Sequence, residues 1–336
     1  MSLEILIFLM ILNIMFLYFS KFFAKILNLI DYPDQKRKIH KIAVPKIGGI
    51  VFFINILIIN NIYLINTVHE NFAIFLNIFL LPFFLLYYLD DIFDLRALTK
   101  SIIFCVIVIF FSYFFEDFFL KVIYFSFLNK KINLLEYSVL INVICFFLLV
   151  NSFNMTDGIN GLAITIYSAW IIIFLIIIKD NVILNFIYMI IPFVIIFLIF
   201  NLKNYTFLGN TGSHLLPIFL GSILIYSNNL QINLGFNEII KSDIAFLVFL
   251  LPGLDLIRLF FLRVFIKKTN FYKADNEHLH HYLSKKFGLY KTNLIFIIII
   301  LVPNIISVYN SKLILPSIIF TLILYFYLIN RNRKPY

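Results

Sequence analysis

The 336-residue chain is 62% hydrophobic and only 13% charged, with a net charge of +10. A mean hydropathy of +1.01 lies far beyond the apolar content of a soluble domain, which leaves an integral membrane protein as the broad class. The basic excess does not point to nucleic acid, because no basic patch with spaced aromatics lies outside the apolar runs. The charges sit in short islands between those runs, so residues 1–336 read as a single integral-membrane domain: an all-α, polytopic membrane helical bundle.

An apolar run of about 18 residues can cross the ~30 Å hydrocarbon core as a helix. About eleven such runs are present, at Leu3 to Ile26, Ile47 to Ile65, Phe72 to Leu89, Ser101 to Phe115, Leu135 to Phe153, Leu162 to Ile178, Ile183 to Phe200, His214 to Tyr226, Ile244 to Ile266, Leu294 to Tyr309 and Leu313 to Ile329. The first lacks a basic start and a small-residue cleavage site, so it is expected to remain as a membrane anchor. Cys105 and Cys145 both fall inside apolar runs without ligand spacing and are expected to be buried thiols.

Alternate crossings place 17 of the 27 Lys and Arg residues in the loops of one side and 6 in those of the other. That bias predicts a cytoplasmic location for the first side, with the N-terminus out and the C-terminus in. The islands rich in Asp, Asn, His and Gly all fall on that side, so they can converge on one site.

In chain order, the first island is Asp31 to His40, with Arg37 and His40, followed by Pro45 to Gly49. Paired glycines at a helix mouth permit close approach of another backbone or a ligand. Next, Asp90, Asp91 and Asp94 occupy three of five positions at the end of an apolar run, with Lys100 about three turns beyond Asp90. Ionised groups at membrane depth are costly unless something cationic meets them, which makes them functional candidates. Adjacent carboxylates also repel, raising the apparent pKa of one unless a metal or lysine offsets the charge. The island Asn151 to Leu162 carries Asn151, Asn154, Asp157, Asn160 and two glycines but no Lys or Arg. Closely spaced side-chain oxygens with Gly turns suit a hard cation such as Mg²⁺ shared with substrate phosphates. Gly209 to Ser213 reads as a short Gly loop before a helix whose N–H groups could face an anion. Last, His278, His280 and His281 lie within four positions behind Lys267, Lys268 and Lys273. No Cys accompanies them, so phosphate binding or proton transfer fits better than zinc.

Taken together and in this order, these islands resemble the polyprenyl-phosphate N-acetylhexosamine-1-phosphate transferases, relatives of phospho-N-acetylmuramoyl-pentapeptide transferase. The matching pieces are R-K-x-H and P-x-x-G-G at Arg37 to Gly49, D-D-x-x-D at Asp90 to Asp94, N-x-x-N-x-x-D-G-x-x-G-L at Asn151 to Leu162, G-x-x-G-S at Gly209 to Ser213 and H-x-H-H at His278 to His281. The resemblance implies attack by undecaprenyl phosphate on the β-phosphorus of a UDP-N-acetylhexosamine, with UMP as leaving group, at the cytoplasmic face of a bacterial inner membrane. It implies catalytic roles for Asp90, Asp91 and Asp157, and Mg²⁺ (or Mn²⁺) held by Asn154 and Asn210. It also implies substrate contacts from Lys100, Asp94, Asn151, Asn160, Gly49, Arg37, His40, His278, His280 and His281, and assembly as a homodimer within membrane lipid. Two positions depart from the family pattern: Asn210 and Asn160 stand where Asp is usual, so metal affinity is expected to be lower. Three alternatives remain open on the residues alone. An intramembrane prenyltransferase would need a second Asp-rich motif, a transporter or flippase would place polar residues on both faces, and a catalytically impaired scaffold would follow from Asn210.

Overall fold

In hydrocarbon no water can satisfy backbone N–H and C=O groups, so a chain this apolar must bond them internally as helices. The computed structural model, which describes residues 3–33, 42–233, 240–269 and 276–332, follows that constraint. Its helices are α1 (Leu3–Tyr18), α2 (Ser20–Ile26), α3 (Gly48–Ile62), α4 (Glu70–Phe93), α5 (Ala97–Phe114), α6 (Ser138–Thr156), α7 (Leu162–Ile177), α8 (Asn181–Tyr188), α9 (Ile191–Leu202), α10 (Gly209–Asn233), α11 (Ser242–Phe261), α12 (Leu279–Phe287), α13 (Leu289–Tyr309) and α14 (Ile314–Asn332). Two short antiparallel pairs also occur: β1 (Ile30–Asp31) with β2 (Val44–Pro45), and β3 (Val122–Phe125) with β4 (Lys130–Asn133).

All eleven apolar runs are helical, but not all as single straight spans. Among the described residues nine helical segments are long and apolar enough to cross a membrane, or ten if the bent pair α1 and α2 counts as one. The one remaining run, Leu162 to Ile178, forms α7, which has 16 residues. The first run breaks at Phe19 with a 67° bend. The bend leaves Lys21 and Lys25 of α2 exposed, where continuing straight would carry two cations along the hydrocarbon. Cys145 is exposed and Cys105 half-buried, which corrects the expectation of buried thiols. A helix apolar on every side gives no periodic signal to separate its lipid-facing from its protein-facing side.

Chain contacts divide the fold into two units. The first comprises residues 1–118 and 179–223, the second residues 119–178 and 224–336. In the first unit, Phe75, Phe79 and Phe83 recur at helical spacing on α4 and meet α5, with ring centroids 5.1 Å apart for Phe79 and Phe111 and 5.2 Å for Phe83 and Phe104. Polar pairs join helices where apolar attraction in lipid is weak. Asn13 and Asn55 exchange amide hydrogen bonds between α1 and α3, and the Asn60 amide donates to Asn77 on α4. In the second unit, Trp170 on α7 donates to the Val248 carbonyl of α11, and Asp243 on α11 anchors the β3–β4 turn through the Ser126 N–H and hydroxyl.

A close backbone approach in the first unit brings α3 to the start of α10. The Gly48 and Gly49 N–H groups donate to the Phe207 and Leu208 carbonyls, and a Cβ on Gly49 would lie 2.2 Å from the Gly212 nitrogen. Gly49→Ala is therefore expected to destabilise by about 1–3 kcal/mol through overpacking. Gly253→Ala on α11, where a Cβ meets nothing within 4 Å, should leave the thermal midpoint in detergent unchanged or slightly raised. Equal midpoints for both variants would refute this packing role.

A second expectation concerns pH. Asp180 caps α8 by accepting the Ile183 N–H and faces His69 Nε2 at 3.2 Å. The His69 hydrogen bond holds the Asp180 carboxyl below its ordinary value of 3.8, against the opposing effect of burial. Because the folded-state value is depressed, the stabilisation is complete above the ordinary carboxylate range and is lost as pH falls through the lowered value. Asp180→Asn should thus lower the melting point at neutral pH, with the gap to wild type narrowing below about pH 4.

Candidate active site

The last turn of α4 carries Asp90 and Asp91, both buried. The first turn of any α-helix leaves N–H groups without partners and a partial positive charge. Asp91 supplies the acceptor that α10 needs: one carboxylate oxygen takes the Asn210 N–H at 2.8 Å, and the other takes the Thr211 N–H at 2.9 Å and its hydroxyl at 2.7 Å. Gly209, at φ +69°, leaves room for the carboxylate, since a Cβ there would lie 2.7 Å from an Asp91 oxygen. As a result Gly209 to Ser213 forms the opening of α10 rather than a loop preceding it, and α10 starts five residues before the expected His214. The Lys46 ammonium donates to the Asp91 carbonyl at 2.9 Å and lies 3.5 Å from its carboxylate.

Asp90 faces the other way. One oxygen accepts the Leu95 N–H at 3.0 Å and the other pairs with Lys100 at 2.8 Å. Asp94 ends α4 in the left-handed region at φ 50° and is exposed. The His214 ring stacks on Tyr87 with centroids 3.7 Å apart and bonds back to the Asn210 carbonyl. Each lysine ammonium has three donors, so Lys46 and Lys100, both partly exposed, can still donate to an incoming phosphate.

In the second unit, Asn151 and Asn154 ride on the last turns of α6, and Asp157 to Gly161 forms the turn into α7, with Gly161 at φ 79°. The Asn151 amide donates to the Phe147 carbonyl of its own helix, which leaves its oxygen for other partners. Asn293 on α13 donates to the Asn160 carbonyl. The His280 ring packs against this turn, such that a Cβ on Gly158 would lie 2.4 Å from its Nε2. Burial, with His281 and His278 adding to it, drives the His280 imidazole well below its usual range, so it stays neutral.

His278 is held from below. Its Nδ1 lies 2.8 Å from one Asp255 oxygen, while the other oxygen accepts from Arg258 at 2.9 Å, from the Tyr325 hydroxyl at 2.7 Å and from the Leu279 N–H at 3.3 Å. Asp255, His278 and His280 are the one group of possible metal donors that lies close together among the described residues, within 4.8 Å. Within that group His278 Nδ1 already meets an Asp255 oxygen. Arg258 already compensates the carboxylate.

The first unit thus gathers Asp90, Asp91, Lys100 and Asn210 where α4 ends and α10 begins, and the second places His280 on the 157–161 turn and His278 beside it. Gly49 packs closely on the Gly212 backbone. Arg37 and His40 lie outside the described residues. The groups that sequence reasoning passed over are Lys46, Thr211, Asp255, Arg258 and Tyr325. Asp255 and Arg258 carried a readable signal, an acid and a base three residues apart inside an apolar run. For a divalent ion, the side-chain amide of Asn210 is half-buried and makes no hydrogen bond among the described residues. A free amide oxygen beside carboxylates is a hard donor set that fits Mg²⁺.

The capping geometry makes Asp91 a structural group whatever else it does. Asp91→Asn keeps the shape but offers an NH₂ where an acceptor is required. It is expected to cost about 1–3 kcal/mol, read as a lower thermal midpoint. An unchanged midpoint would show that α10 does not depend on this cap.

Residues 72–228 match the family model described as glycosyl transferase family 4. The chain is also 31% identical over 290 residues, 85% of its length and 83% of the relative's, to the undecaprenyl-phosphate alpha-N-acetylglucosaminyl 1-phosphate transferase of Thermotoga maritima. The matched segment spans the α4–α10 junction with Asp90, Asp91, Lys100 and Asn210, as well as the 151–162 island, and on this basis the chain belongs to glycosyl transferase family 4.

Proposed function

We propose that this protein transfers N-acetylhexosamine 1-phosphate from a UDP-sugar to undecaprenyl phosphate. In that reaction a lipid phosphate oxygen forms a bond to the β-phosphorus, the bond from that phosphorus to the bridging oxygen breaks, and UMP leaves with the electron pair. The observation that carries the reading is the lysine-balanced acidic pair Asp90 and Asp91 beside the free Asn210 amide, inside the segment matched to the family. The likeness to the Thermotoga maritima transferase supports the two substrates. Phosphoryl transfer demands charge compensation and positioning above all. Lys100 and Lys46 are suited to hold phosphate oxygens, each kept in place by its carboxylate partner. Asp90 orients Lys100 and the lipid phosphate, while Asp157 and Asp94 are the further acids of the proposed site.

The amides of Asn210 and Asn154 would hold Mg²⁺, with Mn²⁺ as its substitute. When bound, such an ion supplies positive charge to the diphosphate. The His278 to His281 segment contacts the nucleotide sugar in this proposal, along with Asn151 and Asn160. The Lys and Arg bias of the loops supports a cytoplasmic site in a bacterial inner membrane, with the N-terminus out and the C-terminus in. The family resemblance extends the proposal to a homodimer.

The test is transfer of label from UDP-N-acetylglucosamine and other UDP-N-acetylhexosamines to undecaprenyl phosphate by the purified full-length protein, with UMP release followed as Mg²⁺ is titrated. A metal-dependent lipid product is expected. Asn210→Asp should lower the Mg²⁺ concentration for half-maximal rate, since it restores a charged ligand. No product with any of the sugars, from wild type or Asn210→Asp, would sink the transferase reading; an unchanged half-maximal concentration would remove residue 210 from the metal site.

A further inference from the structure

His278 is fixed through one ring nitrogen. Of its two ring nitrogens, Nδ1 is committed to Asp255 at 2.8 Å, and Nε2 has no hydrogen-bond partner among the described residues. Asp255 is itself immobilised by three donors from three places: Arg258 one turn along α11, Tyr325 on α14, and the Leu279 N–H that opens α12. Arg258 Nε in turn donates to the Tyr325 hydroxyl at 2.6 Å, so the two supports brace each other. Both Asp255 and His278 are at least nine-tenths buried.

A carboxylate accepts and cannot donate, so the hydrogen bond exists only when Nδ1 carries the proton. The alternative neutral tautomer would set the Nδ1 lone pair against the carboxylate oxygen. The Nδ1–H therefore persists whether the ring is neutral or charged, and the atom offered outward is always Nε2. His280 gives contrast within the same segment: its Nε2 is buried against Gly158 and has no hydrogen-bond partner among the described residues, so it packs where His278 presents.

We propose that Asp255 is a positioning residue of the transferase, holding His278 in the orientation and tautomer that turn its Nε2 toward the diphosphate of the bound nucleotide sugar. This rests on the transferase reading for the identity of the ligand, but the geometry of the pair does not. Arg258 and Tyr325 complete the support by fixing the carboxylate's rotamer and balancing its charge. Behind metal-ligating histidines, support of this kind typically contributes about 10- to 100-fold to affinity or activity, and an effect of that order is expected here.

The experiment is a double-mutant cycle on the full-length protein in detergent, with Asp255→Asn and His278→Ala alone and together, measuring kcat and KM for the UDP-sugar. Groups acting through one another are non-additive. Asp255→Asn is expected to reduce kcat/KM roughly 10-fold or more in the wild-type background and to have little further effect once His278 is alanine. An equal fold loss in both backgrounds would overturn the proposal, since a merely structural role would persist without His278. Should Asp255→Asn fail to accumulate, Tyr325→Phe, which deletes one donor to the same carboxylate, runs through the same cycle with the same two outcomes.

A second readout needs no activity. In protein labelled with ¹⁵N-histidine and held at mildly alkaline pH, an imidazole with its proton on Nδ1 should appear in addition to that of His214, whose Nδ1 donates to the Asn210 carbonyl, and His278→Ala and Asp255→Asn should each abolish that additional signal. Its presence and loss in an inactive wild-type protein would support the positioning while removing the transferase reading. Its absence from a fully active wild-type enzyme would overturn the positioning and leave the transferase standing.

Discussion

The carboxylate of Asp91 at the opening of α10 is the contact on which the first unit's polar architecture depends. A buried carboxylate costs several kcal/mol unless its oxygens are satisfied. Here two N–H groups and a hydroxyl of the first turn of α10 satisfy them, with Lys46 balancing the charge. The exchange is mutual, because the helix start gains the anion that its unpaired donors and dipole favour. Gly209 makes the approach possible, and Gly48 and Gly49 bring α3 onto the residues immediately before and within that first turn. Asp90, one residue earlier, points to Lys100 and the Leu95 N–H. The two neighbouring acids therefore avoid each other's charge by having separate cations.

Asn210 gains a physical meaning from this arrangement. Its backbone N–H bonds to Asp91, so a charged side chain at the same residue would add a second carboxylate beside the first. Like charges this close raise each other's pKa unless a cation lies between them. An amide avoids that repulsion.

The second unit repeats the device with different residues. Asp255 receives the Leu279 N–H at the start of α12 as Asp91 receives those of α10, and Arg258 stands where Lys46 does. In both places an acid inside an apolar helix caps another helix and holds a functional candidate beside it: the Asn210 amide in one case, His278 in the other. Membrane proteins keep few ionisable groups, and these few are used at helix ends, where the backbone itself supplies part of the solvation.

Much of this was legible in the order of residues. Runs of apolar side chains long enough for a bilayer predicted the long helices but not α12, because hydrocarbon permits few other backbone states while α12 lies in a polar island, and the islands between the runs held Asp90, Asn154 and His278. What the sequence could not determine were the partners. Asp91 caps a helix 119 residues away, and Asp255 meets a tyrosine 70 residues on. The start of α10 was misplaced for the same reason, since its cap comes from α4 and not from the residue before it. Neither could the exposure of Cys145 be read, because a wholly apolar helix looks alike on every side. The sequence by itself determined the class, the helices and the chemical groups available, since these follow from local hydropathy and residue type. Only the tertiary structure decided which helix end each buried charge would cap, because that pairing depends on side chains brought together from distant parts of the chain.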